Sequence, residues 1–266
     1  MSLNTVTGSQ QPLDISGVQI TVQGLTKRFA GTYLYQNFNL NIAREKITCI
    51  FGPNGCGKST LLNIIAGLTS IDAGKILFDG KTLAETKIGY VFQNYRDALF
   101  PWLRASDNIR YPLKISGLSN IQCKVRVEEL VDLFGTKIDL NRYPYELSGG
   151  QQQLVSIMRA LANHPEVLFL DEPFSALDYE ATLSIRNKLQ KVFQASKVTM
   201  VMVSHDLEEA VYMADRILLL TKRPTQVAEE IVFKATRPRT AATLSDPEFI
   251  RVKSHCLEVF QREVYR

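Results

Sequence analysis

The sequence has few cysteines, and their positions exclude two common uses of cysteine. Its 266 residues include four cysteines and three histidines. None of the cysteines forms a CxxC pair, and no group of cysteine and histidine has the spacing of a zinc site. So sparse a set is most simply explained by a reducing compartment. The four cysteines are Cys49, Cys56, Cys123 and Cys256.

Long apolar runs are also missing. The longest, such as Val167–Leu170 and Ile217–Leu220, are far shorter than the roughly 20 residues that a membrane-spanning helix needs. The N-terminal stretch MSLNTVTGSQ is polar, which does not fit the apolar segment of a signal peptide. We therefore expect a chain that is soluble by itself, so that any action at a membrane would need another subunit to supply the span.

A concentrated excess of charge is the third absence. The formal net charge is +4, and it is spread along the chain, whereas nucleic-acid binding usually shows a concentrated basic patch. We therefore expect no nucleic-acid partner. Apolar residues make up 45% of the chain, which suits one large domain or one domain with a subdomain.

The pattern of apolar residues predicts alternating strands and helices. Apolar positions within Leu61–Leu68 have helical spacing, and residues 97–148 contain three prolines and helix-like stretches such as Cys123–Phe134, which indicates a helical insertion. A second helix is predicted at Gln152–Asn163. The predicted strands are Val18–Val22, Phe38–Ile42, Ile47–Ile50, Val167–Leu170, Val198–Val203 and Ile217–Leu220, the last three as buried strands of a parallel sheet.

A last helix is predicted near the C-terminus. Asp246 can cap it with Pro247 at the first helical position, or Ser245 and Glu248 can form a capping box. Its apolar stripe is expected to pack on the body of the protein. The stripe consists of Phe249, Val252, Cys256 and Phe260.

A glycine-rich loop between a predicted strand and helix carries the strongest chemical signal. Residues 52–59 read GPNGCGKS, which fits G-x-x-x-x-G-K-[ST]. In such a loop the backbone N–H groups turn inward around phosphates, and the helix that follows adds its positive N-terminal dipole. Lys58 then reaches the β- and γ-phosphates, and the Ser59 hydroxyl is placed for magnesium. A chance glycine turn is the alternative, but the flanking strand and helix favour a phosphate loop.

Two acids follow the apolar run Val167–Leu170. A buried strand delivers its C-terminal residues to the ligand-binding edge of an open sheet. Asp171 can hold magnesium through water, and Glu172 can orient or deprotonate the water that attacks the γ-phosphate. Acids at this position are also common as helix caps.

A second candidate anion site lies at Ser148–Gln151, just before a predicted helix. The Ser148 side chain and two glycine N–H groups could hold an anion there, although a plain helix-starting turn is the usual meaning of S-G-G. One domain rarely needs two such sites for one nucleotide, which suggests a nucleotide held by a second copy of the chain.

Three further polar residues are candidates for the same chemistry. Gln93 follows a predicted strand end and can touch magnesium or the attacking water, or it is a surface glutamine. His205 follows Val198–Val203 and can donate a hydrogen bond to the γ-phosphate. Asp178 would be a turn or cap residue without further context. His164 and His255 are expected to be structural or surface residues.

The order of these segments resembles that of ABC-type ATPases, from about Val18 to the C-terminus, and LSGGQ at 147–151 is the most specific match. The resemblance implies ATP and Mg²⁺ as cofactors. It implies Glu172 as the catalytic base, His205 as the switch histidine, Gln93 as the Q-loop residue and Asp178 as an aspartate near the dimer seam. Ser148, Gly149, Gly150 and Gln151 would cover the ATP of the partner subunit. The magnesium residues would be Ser59, Gln93 and Asp171. The ATP-binding residues would be Phe29, Gly52, Pro53, Asn54, Gly55, Cys56, Gly57, Lys58, Ser59 and Thr60, with Tyr33 as the alternative to Phe29 for stacking on adenine.

The resemblance also implies a fold and its division. The fold would be an α/β P-loop NTPase core with a mainly parallel sheet, an antiparallel β subdomain and a helical subdomain. The expected segments are a flexible leader at 1–16, the nucleotide-binding core with the antiparallel β subdomain at 17–96, the helical signature subdomain at 97–148, the rest of the core at 149–222 and a C-terminal extension at 223–266.

A narrower likeness indicates the kind of transporter. Phe100–Leu103 with Asn108 and Ile109, residues 208–216, and the Arg-Pro segments near Pro224 and Pro238 resemble importers of the nitrate, sulfonate and taurine group, which extends to bicarbonate. The implied partners are a second copy, a membrane permease that would dock near Gln93–Trp102 and, indirectly, an extracytoplasmic solute-binding protein. The implied location is the cytoplasmic face of a prokaryotic cell membrane.

Alternatives to an importer stay open at this point. Leu154, Met158 and Arg44 depart from the residues usual in the family, and none of them touches the presumed chemistry. A non-transport ABC ATPase of DNA repair or translation would usually carry a long coiled coil or two fused cassettes, and this chain has neither. An exporter motor is the other alternative. The transported solute is not encoded, because the motor subunit never contacts it.

Overall fold

The structure is a computed structural model that describes residues 17–265, so the predicted leader at 1–16 lies outside the described residues. Helices and strands alternate along most of this range. The strands are β1 (Val18–Phe29), β2 (Thr32–Ala43), β3 (Ile47–Phe51), β4 (Ala73–Phe78), β5 (Ile88–Val91), β6 (Val167–Asp171), β7 (Thr199–Val203), β8 (Arg216–Leu220) and β9 (Val227–Val232). The helices are α1 (Lys58–Ile65), α2 (Tyr95–Ala98), α3 (Ala105–Ile115), α4 (Asn120–Phe134), α5 (Gly149–Leu161), α6 (Tyr179–Ser196), α7 (Leu207–Met213) and α8 (Pro247–Tyr265).

These elements form two compact units, each with its own internal packing. The first unit contains the described residues up to Thr86 together with those from Thr199 onward, and the second contains Lys87–Val198. The five segments predicted from the sequence are finer than this division and stay a prediction.

An antiparallel sheet with the strand order β2-β1-β4 opens the first unit. The apolar alternation predicts only Val18–Val22 for its central strand, whereas β1 continues to Phe29. The register shifts between Val22 and Leu25, where Gly24 adopts a φ of 59°. This irregularity breaks the alternation on which the prediction depends, and β4 was missed because its first three residues are exposed.

Four further strands of the first unit follow one another in the order β7-β3-β8-β9. β3 pairs in parallel with β7 and β8, and all five residues of β3 and of β7 are buried. The edge strand β9 is antiparallel to β8 and was not predicted. Two acids interrupt its apolar pattern, and each has a basic partner: Glu230 pairs with Arg216 and Glu229 with His255.

The C-terminal helix α8 packs within the first unit against α7, β8 and β9. Asp246 caps it, because its carboxylate accepts from the Glu248 N–H at 2.7 Å, and Pro247 is the first helical residue. The predicted stripe is buried at Phe249, Val252 and Cys256. Val259 is also buried, whereas Phe260 is only half-buried and touches the Phe51 ring.

The second unit holds the parallel pair β5 and β6 and the helices α2 to α6. α4 begins at a capping box formed by Ser119 and Gln122 and ends at Gly135, whose φ is 52°. α3 contains Pro112, so the helical insertion accommodates a proline within a helix. α5 is predicted at 152–163 but spans Gly149–Leu161. It begins three residues earlier than predicted because Ser148 is its N-cap.

The prediction of an α/β fold with a mainly parallel sheet, an antiparallel β part and a helical part is confirmed. One helical prediction was too long at its end. Leu68 was assigned to the first helix, but α1 ends at Ile65 and Leu68 is exposed. Gly67 adopts a φ of 74° just before it, a conformation that ends helices.

Candidate functional site

The predicted phosphate loop connects β3 to α1 in the first unit. Gly55 and Gly57 have φ values of 75° and 102°, and Gly57 is the N-cap of α1 without a side-chain cap. A Cβ at Gly57 would lie 2.9 Å from the Leu34 side chain and from the Tyr35 hydroxyl. Glycine is therefore required here both by backbone conformation and by space.

A lysine ammonium lies inside this loop. Lys58 is 8% exposed, and its Nζ donates to the carbonyls of Gly52 at 2.9 Å and Pro53 at 3.1 Å. Gly57 has no side chain that could accept from the first N–H groups of α1. These N–H groups and the helix dipole therefore add to the positive charge of Lys58 at the helix N-terminus. These N–H and ammonium donors suit a polyphosphate anion, as a nucleotide site requires.

Neighbouring segments brace the loop from outside. The Tyr35 hydroxyl donates to the Gly57 carbonyl at 2.9 Å, the Thr225 hydroxyl to the Cys56 carbonyl at 2.6 Å, and Arg223 Nε to the Gly55 carbonyl at 2.7 Å. Burial raises the pKa of the Cys56 thiol, so it stays protonated at neutral pH. Sequence reasoning missed Tyr35 and Thr225, because they lie 22 and 169 positions along the chain from the loop residues whose carbonyls they bond.

The acids at the end of β6 lie together in the second unit. Asp171 is 6% exposed, and the Tyr90 hydroxyl hydrogen-bonds to its carboxylate. Gln93 Nε2 donates to Glu172 Oε2 at 3.0 Å, which joins the Q-loop candidate to the candidate base. Glu172 also has a φ of 45°, which is uncommon for a residue with a side chain.

The signature candidate is the N-terminus of α5. Ser148 caps this helix, and its N–H donates to Gln151 Oε1 at 3.0 Å in a capping box. A Cβ at Gly150 would lie 2.9 Å from the Ala181 Cβ of α6. Asp178 caps α6 by accepting from the Ala181 N–H at 2.7 Å. The signature turn and Asp178 therefore line one cleft of about 510 Å³, with the α4–α5 connection on its other side.

The remaining candidates lie in the first unit. His205 is exposed between β7 and α7. Phe29 ends β1 and is 48% exposed, and Lys27 Nζ lies 5.3 Å from the centre of its ring. Tyr33 at the start of β2 contacts the Arg28 guanidinium, 4.1 Å from its ring centre. An exposed aromatic at this place is available for stacking.

An aromatic cluster in the second unit follows the predicted Q-loop. Phe100 is half-buried and packs against Trp102 and Tyr111, with ring centres 5.5 and 4.7 Å apart. Trp102 is 70% exposed, so it does not fill the core of the unit. We call the adjoining cleft of about 390 Å³ the aromatic cleft; it is lined by Phe92, Phe100, Tyr111, Ile115, Arg159 and their neighbours.

Comparison with known proteins assigns the chain to a family. The family model described as ABC transporter matches residues 35–175. The chain belongs to the ABC transporter family. Within residues 17–265, this ABC protein contains no helix with the length and hydropathy needed to cross a bilayer.

Several curated relatives match most of the chain. The uncharacterized ABC transporter ATP-binding protein MJ0412 of Methanocaldococcus jannaschii is 36% identical over 255 residues, which is 94% of each chain. The aliphatic sulfonates import ATP-binding protein SsuB of Bacillus subtilis is 37% identical over 229 residues, 85% of this chain and 87% of the relative. The sulfate/thiosulfate import ATP-binding protein CysA of Neisseria meningitidis is 42% identical over 212 residues, and the match covers 76% of this chain but 59% of the relative.

Solved structures of the ABC transporter cassette MJ0796 share the fold. Its dimeric structure has a TM-score of 0.71 at 34% identity and covers 82% of this chain and 100% of that one. A dimeric post-hydrolysis state bound to ADP and Pi has the same TM-score at 32% identity. The chain is therefore an ATP-binding ABC ATPase, as the phosphate loop and the acids of β6 predict.

Proposed function

We propose that the chain is the ATP-hydrolysing subunit of an importer, working as a pair of copies on a separate membrane permease. The observation that carries the catalytic part is the Glu172 carboxylate, which follows a fully buried strand, lies next to Asp171 and accepts a hydrogen bond from Gln93. A carboxylate that is held in one orientation is the group that can direct a water at a phosphate.

The phosphate loop binds ATP in this proposal. Backbone N–H groups from Gly55 to Thr60 surround the phosphates, and the Lys58 ammonium exchanges its loop carbonyls for the β- and γ-phosphate oxygens. The Ser59 hydroxyl and the Asp171 and Gln93 side chains would hold Mg²⁺, which would neutralise phosphate charge when it is bound. The adenine stacks on Phe29, with Tyr33 as the alternative.

Glu172 orients the attacking water and accepts its proton. Gln93 fixes the carboxylate, and His205 donates a hydrogen bond to the γ-phosphate. Gln93 lies in the chain just before the helices that line the aromatic cleft. A partner bound at that cleft could therefore change the orientation of the Glu172 carboxylate through Gln93.

The second copy completes the site. The Ser148–Gln151 turn presents helix N–H groups on the surface of the second unit, beside Asp178, in a cleft that is open to solvent. An uncovered helix N-terminus of this kind suits the γ-phosphate of an ATP held by another copy. The dimeric cassettes among its solved relatives support this part of the proposal.

The permease docks at the aromatic cleft. Trp102 exposes a large aromatic surface, and the half-buried Phe100 of this cleft packs against it. Exposed aromatic surface of this kind usually meets a partner. In this proposal, docking on the permease is what places the chain at the cytoplasmic face of the membrane.

The transported solute is proposed as a small anion of the nitrate, sulfonate, taurine or bicarbonate kind, captured outside the membrane by a solute-binding protein. The names of the relatives SsuB and CysA, which import sulfonates and sulfate or thiosulfate, support an anion. The Phe100–Leu103 segment and the Arg-Pro segments favour import over the alternatives of an exporter motor or a non-transport ATPase.

The first prediction concerns the base. Glu172→Gln keeps the size of the side chain but removes its proton-accepting charge, so ATP turnover should fall about 10²–10⁴-fold, the usual contribution of a general base. The variant should still bind ATP, and with ATP present it should sediment as a dimer. Gln194→Glu, which alters an exposed glutamine of α6, is the matched control for a one-atom change. A Glu172→Gln variant that hydrolyses ATP at the normal rate would disprove this assignment.

The second prediction concerns the permease. Trp102→Ala should leave the rate of ATP hydrolysis by the isolated chain within about twofold of normal. Trp102 is 70% exposed and is not one of the residues assigned to ATP or Mg²⁺. The variant should co-purify poorly with the permease encoded beside its gene, and Tyr145→Ala, at an exposed tyrosine elsewhere in the second unit, should not. Equal recovery of permease with both variants would exclude this surface as the dock.

A further inference from the structure

Tyr90 lies in the second unit and belongs to none of the sequence motifs described above. It lies in β5, three residues before Gln93, and is half-buried. Its ring packs against Phe92, with ring centres 4.5 Å apart, and against Phe169 of β6 at 6.1 Å. Two aromatic contacts therefore confine the ring, one from the residue that follows β5 and one from β6.

The hydroxyl of this confined ring meets the acid at the end of β6. β5 and β6 run in parallel with Tyr90 opposite Phe169, and the side chain of Asp171 is on the same face of β6 as that of Phe169. The Tyr90 hydroxyl accordingly hydrogen-bonds to the Asp171 carboxylate. Because Asp171 is 6% exposed, solvent competes weakly for this bond.

The tyrosine is a firmly held donor in this place. Its two ring contacts restrict where the hydroxyl can lie, and a phenol has a single O–H to donate. The hydrogen bond therefore fixes one oxygen of the Asp171 carboxylate, which also fixes the direction that the other oxygen faces.

We propose that Tyr90 is a positioning residue for metal binding, which orients the Asp171 carboxylate toward the Mg²⁺ of the bound nucleotide. This inference rests on the proposed function, which assigns Asp171 to the metal. Outer-sphere partners of this kind typically affect metal affinity about 10–100-fold, by fixing the ligand and tuning its basicity. Tyr90 touches neither ATP nor the metal, so its effect passes through Asp171 alone.

Tyr90→Phe tests the proposal, because it keeps both ring contacts and removes the hydroxyl. Mn²⁺, used in place of Mg²⁺, is titrated by electron paramagnetic resonance into the chain saturated with a non-hydrolysable ATP analogue. The Mn²⁺ dissociation constant should rise about tenfold, at the low end of the range for such partners. Binding of the analogue without metal should stay unchanged. In ATPase assays the Mg²⁺ concentration for half-maximal rate should rise in parallel, with the rate at saturating Mg²⁺ nearly restored.

Two controls separate the possible outcomes. Tyr111→Phe removes a hydroxyl from the same aromatic cleft, away from Asp171, and should leave Mn²⁺ affinity unchanged. Asp171→Asn tests the proposed function itself and should weaken Mn²⁺ binding more than Tyr90→Phe does. If Asp171→Asn weakens binding but Tyr90→Phe matches the normal chain, the inference about Tyr90 is overturned and the metal site stands. If Asp171→Asn has no effect either, the metal assignment falls with it.

A merely structural role for Tyr90 gives a different pattern. Loss of packing would lower the melting temperature and the rate at every Mg²⁺ concentration by the same factor. A change in maximal rate with an unchanged Mn²⁺ dissociation constant would therefore overturn the proposal, and a change in the dissociation constant with a melting temperature near that of Tyr111→Phe supports it.

Discussion

At the scale of single residues, the candidate site combines backbone strain with charge held in place. Glu172 adopts a φ of 45°, although a left-handed conformation costs a residue with a Cβ roughly 1 kcal/mol or more. Its carboxylate is tied to Gln93, and its neighbour Asp171 is tied to Tyr90. Strain of this kind persists where surrounding contacts fix a residue, and here those contacts orient the two acids on which the proposed chemistry depends.

Gly57 offers the third prediction, at the same scale. Gly57→Ala would place a Cβ 2.9 Å from Leu34 and Tyr35 and force a φ of 102° on an alanine. We expect the free energy of unfolding to fall by about 2 kcal/mol or more, through strain and overpacking together. ATP binding, measured by calorimetry, should weaken more than tenfold, because the loop must shift to relieve the contact.

Gly55→Ala is the matched control. Gly55 has a φ of 75°, but nothing lies within 4 Å of a Cβ built there. This variant carries the strain without the collision, so its loss of stability should be clearly smaller. Equal losses for the two variants would show that the close approach to Leu34 and Tyr35 does not matter.

At the scale of elements, a buried arginine supports the short helix α7, which begins two residues after His205. Arg239 is 1% exposed, and its Nη1 donates to the carbonyls of Val211, Tyr212 and Ala214 at 2.7–3.0 Å. It also pairs with Asp215. These carbonyls end α7 and have no further helical turn to bond to, so a residue far along the chain completes the helix.

The fourth prediction follows from this cap. Arg239→Met keeps an unbranched side chain but removes every donor, which leaves three buried carbonyls and Asp215 without this partner. We expect a loss of about 3–5 kcal/mol in the free energy of unfolding, the usual cost of breaking a buried charged network. Urea unfolding measures it.

An exposed arginine of the same unit gives the control. Arg251 forms a surface pair with Glu248 on α8, and Arg251→Met should leave the urea midpoint nearly unchanged. An Arg239→Met chain that unfolds at the normal urea concentration would contradict the role given to this cap.

An element was predicted well from the sequence when its own consecutive residues determine it, and poorly when distant residues do. β3, β6 and β7 were predicted closely, because every residue in them is buried and nearly all are apolar. β9 was missed, because Glu229 and Glu230 need partners that only the folded chain supplies. The cap that Arg239 provides could not be foreseen for the same reason.

The candidate site divides in the same way. Three parts of the site are local motifs, so their chemistry can be predicted from consecutive residues. They are the phosphate loop, the acids of β6 and the signature turn. The contacts of Tyr90 with Asp171 and of Tyr35 with Gly57 join residues that are 81 and 22 positions apart. Nothing in the local pattern distinguishes Tyr90 from any other strand tyrosine.

At the scale of the whole molecule, the proposed function requires two copies for one act of hydrolysis. The Ser148–Gln151 turn is a helix N-terminus that faces an open cleft, and the phosphate loop has its own helix N-terminus and the Lys58 ammonium. We therefore infer that the loop of one copy is catalytically idle until the signature of another copy covers its ATP. ATP would close the pair by binding the closed dimer more tightly than the open one.

The most direct test is the ATPase rate per chain over a range of protein concentrations, with sedimentation in the same buffer to measure the fraction of dimer. If the site is shared between two copies, the rate per chain rises with concentration in proportion to the ATP-bound dimer and approaches zero where the chain is monomeric. A rate per chain that stays constant down to concentrations at which only monomer sediments would contradict the shared site, while leaving ATP binding by the phosphate loop intact.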